Sequence, residues 1–437
     1  MAENIFKLFR AGMKGPVFSP EDVDAGAEAE GGGAAAQGLS RPAWAEIDVE
    51  AITHNARVLS QLVRPAQLCA VVKANGYGHG AAAVARAALA GGAIGLAVAL
   101  VDEGVELRRR GVRGPILLLS ECGADAVDAV MAHSLTPTLY TTGGVEQFSQ
   151  AARRLGQRKA VHVKVDTGMH RVGAPIADAP AILRAVIDDP LLVFEGLWTH
   201  LAVADGESAD DRDFTLGQLA SFDTVLRDLD GTQALPNLVH AANTAGAIAY
   251  PTARYNMVRC GIGLYGCLPG PAVTAALAAA GAAGATGATL RPALSLRARV
   301  VSVRTLEEGA RPSYGRLRPL PRRSVVATVP LGYADGVPRA LFAQGYSVLI
   351  GGRRRPLAGM VTMDQIVVDC GDDTSVQPGD EVVLLGRQGD EEITADEWAD
   401  LLGTISYEVL CGIGPRVPRT VVNGPEPTGG SMSPPLH

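Results

Sequence analysis

From Trp44 onward, short apolar runs alternate with segments in which apolar residues recur at helical spacing. The runs are Leu68–Val72, Ile94–Val98, Ile116–Leu119, Thr136–Tyr140, Val161–Val165, Leu192–Trp198, Leu238–His240 and Asn256–Cys260. Their length and bounding polar residues predict buried strands. Between them Ala81–Ala90, Val101–Arg110, Ala124–His133, Val145–Leu155 and Phe214–Asp228 carry the helical period. Such regular alternation over roughly 220 residues predicts an α/β fold. A TIM-like (β/α)8 barrel suits it better than a doubly wound sheet, which usually has fewer strands.

Past Cys267 an Ala/Gly stretch runs to about Thr289, expected as a surface excursion. The character then turns β-rich, with runs at Ala293–Arg304, Ser324–Val329, Tyr346–Ile350, Gln365–Asp369, Glu381–Gly386 and Val417–Val422. A short helix, Ala395–Leu402, is expected behind Thr394 as its N-cap. The predicted organisation is a disordered tail over 1–41, a barrel over 42–290 with its insert at about 268–290, and a C-terminal all-β domain over 291–437.

A net charge of -7 argues against non-specific nucleic-acid binding, and 47% hydrophobic residues supply an ample core. Arg108-Arg109-Arg110 and Arg353-Arg354-Arg355 read as solvated faces. Cys69, Cys122, Cys260, Cys267, Cys370 and Cys411 form no CxxC pair. That usage implies a reducing cytoplasm and no structural zinc. The most apolar stretch, Ala272–Leu290, is too weakly hydrophobic for a membrane span, and the N-terminus lacks an apolar core of signal-peptide length.

In a barrel the chemistry gathers at strand C-termini. The polar residues there are Lys73, Lys164, Asp166, His200, Asn243 and Arg259. Lys73 reads either as a snorkelling strand-end lysine or as a desolvated amine ready to form a Schiff base. Glycines flank Tyr77, four residues on, and let backbone approach a bound group. Asp166-Thr167-Gly168 is either an ordinary strand-end turn or one that holds Arg171 inward. Asn243 or Thr244 would cap a helix, whose N-terminus also suits a phosphate. Gly261-Ile262-Gly263-Leu264-Tyr265-Gly266 matches GxGxxG, but no Asp or Glu occurs between Gly261 and Leu306 to bind a ribose. The loop reads better as a phosphate loop, with Gly261 and Ile262 offering N–H groups.

Lys73-Ala74-Asn75-Gly76-Tyr77-Gly78-His79-Gly80 and the segments around Arg171, His200, Arg259, Tyr314, Tyr333 and Met363 resemble alanine racemase from about Pro42 to Pro418. The resemblance implies a pyridoxal 5'-phosphate (PLP) enzyme with the cofactor on Lys73 and its phosphate held by Tyr77, Asn243, Thr244, Gly261 and Ile262. By the same resemblance Arg171 bonds the phenolic oxygen and helps bind substrate, oriented by Lys164, whose counterpart in the family is often carbamylated. His200 stacks on the ring, and Arg259 faces the ring nitrogen. An arginine there stays protonated and leaves that nitrogen uncharged, which favours proton transfer.

Racemisation needs acid/base groups on both faces of the α-carbon. The resemblance assigns Lys73 to one face and Tyr314 to the other. It places Tyr333, Met363 and Asp364 at the entrance and the substrate carboxylate. Tyr314, Tyr333 and Met363 would come from a partner subunit, hence a homodimer with shared sites. The implied reaction interconverts L- and D-alanine, supplying D-alanine for peptidoglycan. Two departures stand out. His170 occupies a position where many members have glycine, and Pro415 one that often holds a tyrosine narrowing the entrance. The alternatives are a racemase of broader specificity, a related PLP decarboxylase, which would need an acid at Arg259, and a non-catalytic PLP-carrying barrel.

Overall fold

The structure, a computed structural model, describes residues 41–230, 235–282 and 289–424. The expected tail falls outside these residues except for Arg41. The chain divides into two compact units, one holding Ile52–Gly76 and Val84–Arg291, the other holding 41–51, Tyr77–Ala83 and the chain from Pro292.

The first strand, β1 (Ala43–Asp48), leads into a helix over Val49–Leu62. The strands of the first unit follow: β2 (Gln67–Val71), β3 (Ala93–Val98), β4 (Ile116–Leu118), β5 (Thr138–Leu139), β6 (Lys159–Asp166), the two-residue β7 (Ala174–Pro175), β8 (Leu192–Trp198), β9 (Leu238–His240) and β10 (Met257–Cys260). They form two parallel arcs, β10-β2-β3-β4 and β5-β6-β8-β9. A parallel bridge between Leu117 and Thr136 joins the arcs at one seam. At the other, Asn256 N–H donates to Val239 O (3.3 Å) and Arg259 N–H to Ala242 O (3.0 Å). This is the ring order that a (β/α)8 barrel requires. Strand residues such as Leu68, Leu96, Ile116, Val163 and Leu197 are almost fully buried. Strands buried on both faces have near-continuous apolar runs, which is why they were legible in the sequence.

The helix Val49–Leu62 is tied to the chain leaving the first unit by one side chain. Asn55 Nδ2 donates to Leu264 O (2.9 Å) and Arg291 O (2.8 Å), and its Oδ1 accepts from Arg291 N–H (2.8 Å). The insert contributes a helix, Pro271–Ala282, that buries Val273 and Leu277.

The second unit contains β11 (Leu294–Arg299), β12 (Ser302–Leu306), β13 (Ser324–Val329), β14 (Ser347–Ile350), β15 (Arg353–Pro356), β16 (Ile366–Asp369), β17 (Glu381–Gln388), β18 (Glu391–Ile393) and β19 (Arg419–Val422). Its larger sheet has the order β15-β14-β17-β11-β1-β19. Two readings change. The run Ala293–Arg304 is two strands in different sheets, broken at Val300-Val301. The start at 42 shifts as well: β1 pairs antiparallel with β11 and parallel with β19, so Ala43–Asp48 lies in the second unit. An apolar strand announces its burial but not which sheet will take it. The arginine runs are mostly exposed, as expected, at Arg109, Arg110, Arg353 and Arg354, with Arg108 and Arg355 half-buried. Arg354 pairs with Glu391 and Glu397, and Arg355 with Asp373. Arg108 donates to the carbonyls of His133, Val112 and Gly114. The expected helix forms at Ala395–Leu402, with Thr394 Oγ1 accepting from Glu397 N–H at 3.0 Å.

Asn55→Ala would leave two carbonyls and one N–H without partners at a fully buried site. It should cost about 2–4 kcal/mol, read as a lower thermal midpoint of the whole protein. His54→Ala on the same helix, where an exposed bond to Thr289 O is lost, should change the midpoint far less.

Candidate active site

Arg259 is the centre of the arrangement at the C-terminal ends of the strands. It lies on β10, is 3% exposed, and donates from Nη2 to Thr199 O (2.9 Å) and Ala241 O (3.0 Å). The same nitrogen lies 3.1 Å from His200 Nδ1, and Nη1 lies 2.6 Å from His240 Nδ1. A guanidinium only donates, so both Nδ1 atoms must accept, and both rings carry their proton on Nε2. Burial first, and then the Arg259 charge, hold both histidines well below the usual imidazole range and therefore neutral. Burial lowers Arg259 itself to about 10, still charged at neutral pH.

Trp198, at the end of β8, is the platform beneath these charges. The Arg259 guanidinium carbon sits 4.4 Å and Lys164 Nζ 4.5 Å from its ring centroid. His240 stacks on it at 5.5 Å with an interplanar angle of 11°. Trp198 Nε1 donates to Thr138 Oγ1 at 3.2 Å, which holds the ring orientation.

Lys164 is 2% exposed. Burial, then the charges of Arg259, Arg171 and Lys73, push its amine down to about 7, against a smaller upward pull from Asp166. Lys73, Lys164, Arg171 and Arg259 thus form one cationic cluster. Lys164 stands on β6. Asp166 Oδ1 accepts from Gly168 N–H (3.0 Å) and His170 N–H (3.1 Å), folding the loop that carries Arg171. His170 has φ 54°, a left-handed backbone that glycine adopts without strain. This accounts for the glycine common at that position in the family the sequence resembles.

Lys73 follows β2 and enters a left-handed turn with φ near 52° at Ala74 and Asn75 and 63° at Gly76. Left-handed backbone at consecutive non-glycine residues is strained, and such strain persists where the surroundings enforce it. Ala74 N–H donates to Glu103 Oε1 at 2.6 Å, and Gly76 N–H to Val72 O at 2.9 Å.

The helix after β9 begins at Thr244, with Asn243 Oδ1 capping Gly246 N–H at 2.9 Å. Thr244 Oγ1 accepts from Gly261 N–H at 3.1 Å and from Gly263 N–H at a longer 3.5 Å. Gly261 N–H is therefore already engaged here, and the Thr244 hydroxyl also hydrogen-bonds the Cys260 thiol. A Cβ on Gly263 would approach Thr244 Cγ2 to 2.9 Å, so the close packing of this loop requires glycine. Beyond Gly261 the chain makes only a 3-10 turn, Ile262–Tyr265, not the long helix of a dinucleotide fold.

The second unit holds the remaining candidates. Tyr77, 6% exposed, meets Tyr407 at 6.0 Å between ring centroids. Tyr314 opens a 3-10 turn behind Ser313, whose Oγ donates to Met360 O at 2.6 Å. Tyr333 N–H donates to Thr362 O and Ala334 N–H to Met363 O, both at 3.0 Å, zipping those segments together. Asp364 is paired with Arg416 at 2.8 Å. Tyr314 (73%), Tyr333 (43%) and Met363 (52%) are all exposed.

Trp198, Thr199 and His240 were not singled out from the sequence, yet they surround Arg259, and His162, likewise missed, stands behind His240. A signal existed: His162 and Lys164 lie two apart on one strand, and period-two alternation puts them on one face.

The alanine racemase N-terminal domain model matches residues 47–269, and the C-terminal domain model matches 293–421. The chain is 45% identical over 379 residues to an alanine racemase of Symbiobacterium thermophilum, covering 87% of this chain and 97% of that one. Among solved structures it is similar to the alanine racemase of a D-cycloserine-producing Streptomyces lavendulae, with a TM-score of 0.80, 34% identity, and coverage of 88% and 98%. It is similar too to a histidine racemase of Leuconostoc mesenteroides, with a TM-score of 0.77, 29% identity, and coverage of 89% and 100%. The chain belongs to the alanine racemase family.

Proposed function

We propose that this chain is an isomerase interconverting L- and D-alanine, with PLP as cofactor and Lys73 and Tyr314 as the two proton-transfer groups. The observation that carries the reading is the cationic strand-end cluster of Lys73, Lys164, Arg171 and Arg259 beside neutral His200. Such a donor set is suited to an anionic aromatic ligand. When bound, PLP supplies an electron sink that makes the α-hydrogen of an amino acid acidic. Lys73 would hold it, with Tyr77, Asn243, the Thr244 hydroxyl, Gly261 and Ile262 at the phosphate end and Arg171 at the phenolic oxygen. Arg259 donates and cannot accept, so it keeps a facing ring nitrogen unprotonated. A decarboxylase-like site, expected to carry an acid at this position, is disfavoured by that choice.

The Lys73 amine takes or returns the α-proton on one face, and the Tyr314 phenol does so on the other. Tyr314, Tyr333 and Met363, with Leu317, are large apolar side chains left exposed on the second unit. This supports a homodimer in which they would enter the partner's site together with Asp364, which is paired with Arg416. D-alanine for peptidoglycan and a cytoplasmic location complete the reading.

Replacing Tyr314 by Phe should lower racemisation by about 100- to 10,000-fold while α-hydrogen exchange with solvent survives for one enantiomer only. Exchange lost equally for both enantiomers, measured by NMR in deuterated buffer, would refute the two-base assignment. Lys73→Ala should abolish the visible absorbance of bound cofactor.

Lys164 binds its proton more weakly folded than unfolded, so the unfolded chain holds more protons between about 7 and the ordinary lysine range. Stability lost to this group is therefore greatest below pH 7 and recovers as pH rises. In carbonate-free buffer Lys164→Met should raise the apo-protein's unfolding midpoint at pH 6 and not at pH 10. A neutral amine near pH 7 also supports carbamylation, which mass spectrometry in bicarbonate would reveal as an added carboxylate mass.

With proline at position 415, we expect a preference for D-alanine over D-valine below about 100-fold. Turnover of D-alanine, D-serine and D-valine compares the strict reading with the broader one, which the likeness to a histidine racemase also favours.

A further inference from the structure

Arg259 has a second hydrogen-bonded side, directed away from the strand ends into the barrel interior. His240 Nδ1 accepts from Arg259, so its Nε2 carries the proton, and that Nε2 lies 2.9 Å from His162 Nδ1. His162 Nδ1 must then accept, which leaves the His162 proton on Nε2. That Nε2 lies 3.4 Å from Glu195 Oε2. One donor-only group at the top therefore dictates the proton position on two rings below it, and the row ends on a carboxylate.

The row has built support. Val161 pairs with Phe194 and His162 with Gly196, so Glu195 is the extra residue of a β-bulge on β8. A bulge re-aims a side chain that strict alternation would send elsewhere. Beside it, a Cβ on Gly196 would fall 2.3 Å from His162 Nδ1, so only glycine leaves room for the ring in this position. His162 is 2% and His240 0% exposed. The lower end borders a small cavity lined by the apolar Pro115, Leu238 and Met257, a low-dielectric setting.

Among the described residues no carboxylate pairs directly with Arg259. The neighbouring thiols Cys69 and Cys260 are pushed up to about 12 by burial and are neutral. The other titratable groups near the row are basic: Lys159 beside Glu195, Lys164 beside Arg259, and Arg171 and Lys73 beyond it, so none supplies a negative charge.

We propose that Glu195, through His162 and His240, is the counter-charge and positioning device of Arg259, fixing the guanidinium orientation and both imidazole tautomers. The row positions Arg259 and does not touch substrate. Its bearing on the cofactor rests on the function proposed above, but the tautomer assignment does not.

The test is long-range 15N–1H NMR on the histidine-labelled holoenzyme, with His162 and His240 assigned by loss of signal in His162→Gln and His240→Gln. Both rings are expected neutral with the proton on Nε2 at pH 7. A proton on Nδ1 of either ring, or an imidazolium, would overturn the proposal. This readout works whether or not the protein takes PLP, so failure of the cofactor reading is seen separately, as absence of visible absorbance in wild type. In holoenzyme, Glu195→Gln removes the charge but keeps the shape. It should lower kcat about 10-fold with KM nearly unchanged. It should also move the titration midpoint of the cofactor absorbance down by about half a pH unit, because uncompensated positive charge disfavours the protonated form. Glu195→Asp should recover part of both. Wild-type kcat and midpoint in Glu195→Gln would sink the counter-charge role, and loss of activity without a midpoint change would reduce it to a structural one.

Discussion

A guanidinium buried in the barrel is the constraint on which the site depends. An ion taken out of water at this depth is tolerated only when its donors are met by well-placed acceptors. Arg259 meets that condition with the carbonyls of Thr199 and Ala241 and the Nδ1 atoms of His200 and His240. Two of these acceptors, Thr199 and His200, follow β8, and the other two, His240 and Ala241, end or follow β9. The need to satisfy one side chain therefore fixes how β8, β9 and β10 meet. Trp198 completes the support with its ring face.

The same charge organises the electrostatics around it. Added to the larger effect of burial, it holds His200 and His240 neutral and, with Arg171 and Lys73, helps push Lys164 down to about 7. Cations gathered at strand ends repel one another, and an anionic occupant relieves that repulsion. Binding and stability are consequently coupled: whatever neutralises the cluster should stabilise the folded chain. The structural cost of holding the cluster is visible in backbone strain, at Ala74 and Asn75 after Lys73 and at His170 before Arg171.

The second unit uses a different device to place its candidate residues. Asp335 is fully buried, accepts from Gly332 N–H at 3.0 Å, and is paired with Arg41 at 2.8 Å. Its carbonyl accepts from Gly414 N–H at 3.0 Å. This joins the Tyr333 turn to the loop that contains Pro415. Close backbone approaches at Gly332 and Gly359, where a Cβ would come within 2.4 Å of carbonyl oxygens, hold the Met363 and Tyr314 segments in place. The result is a rigid base beneath side chains that themselves stand in solvent.

The linear order of residues determined a good deal alone. Strands buried on both sides are nearly continuous apolar runs, so Leu192–Trp198 and Leu238–His240 were read at their observed bounds. The residues ending those strands were legible because barrel topology directs chemistry to that edge. Tertiary structure alone decided the partners. Nothing local tells β1 to join β11 and β19, since an apolar strand fits many edges until long-range pairing selects one. Nor does spacing reveal that His162, 78 positions before His240, accepts its proton, or that a bulge turns Glu195 toward both. Hydrogen-bond direction and desolvation arise from atoms brought together by the closed fold, and the chain order does not contain them.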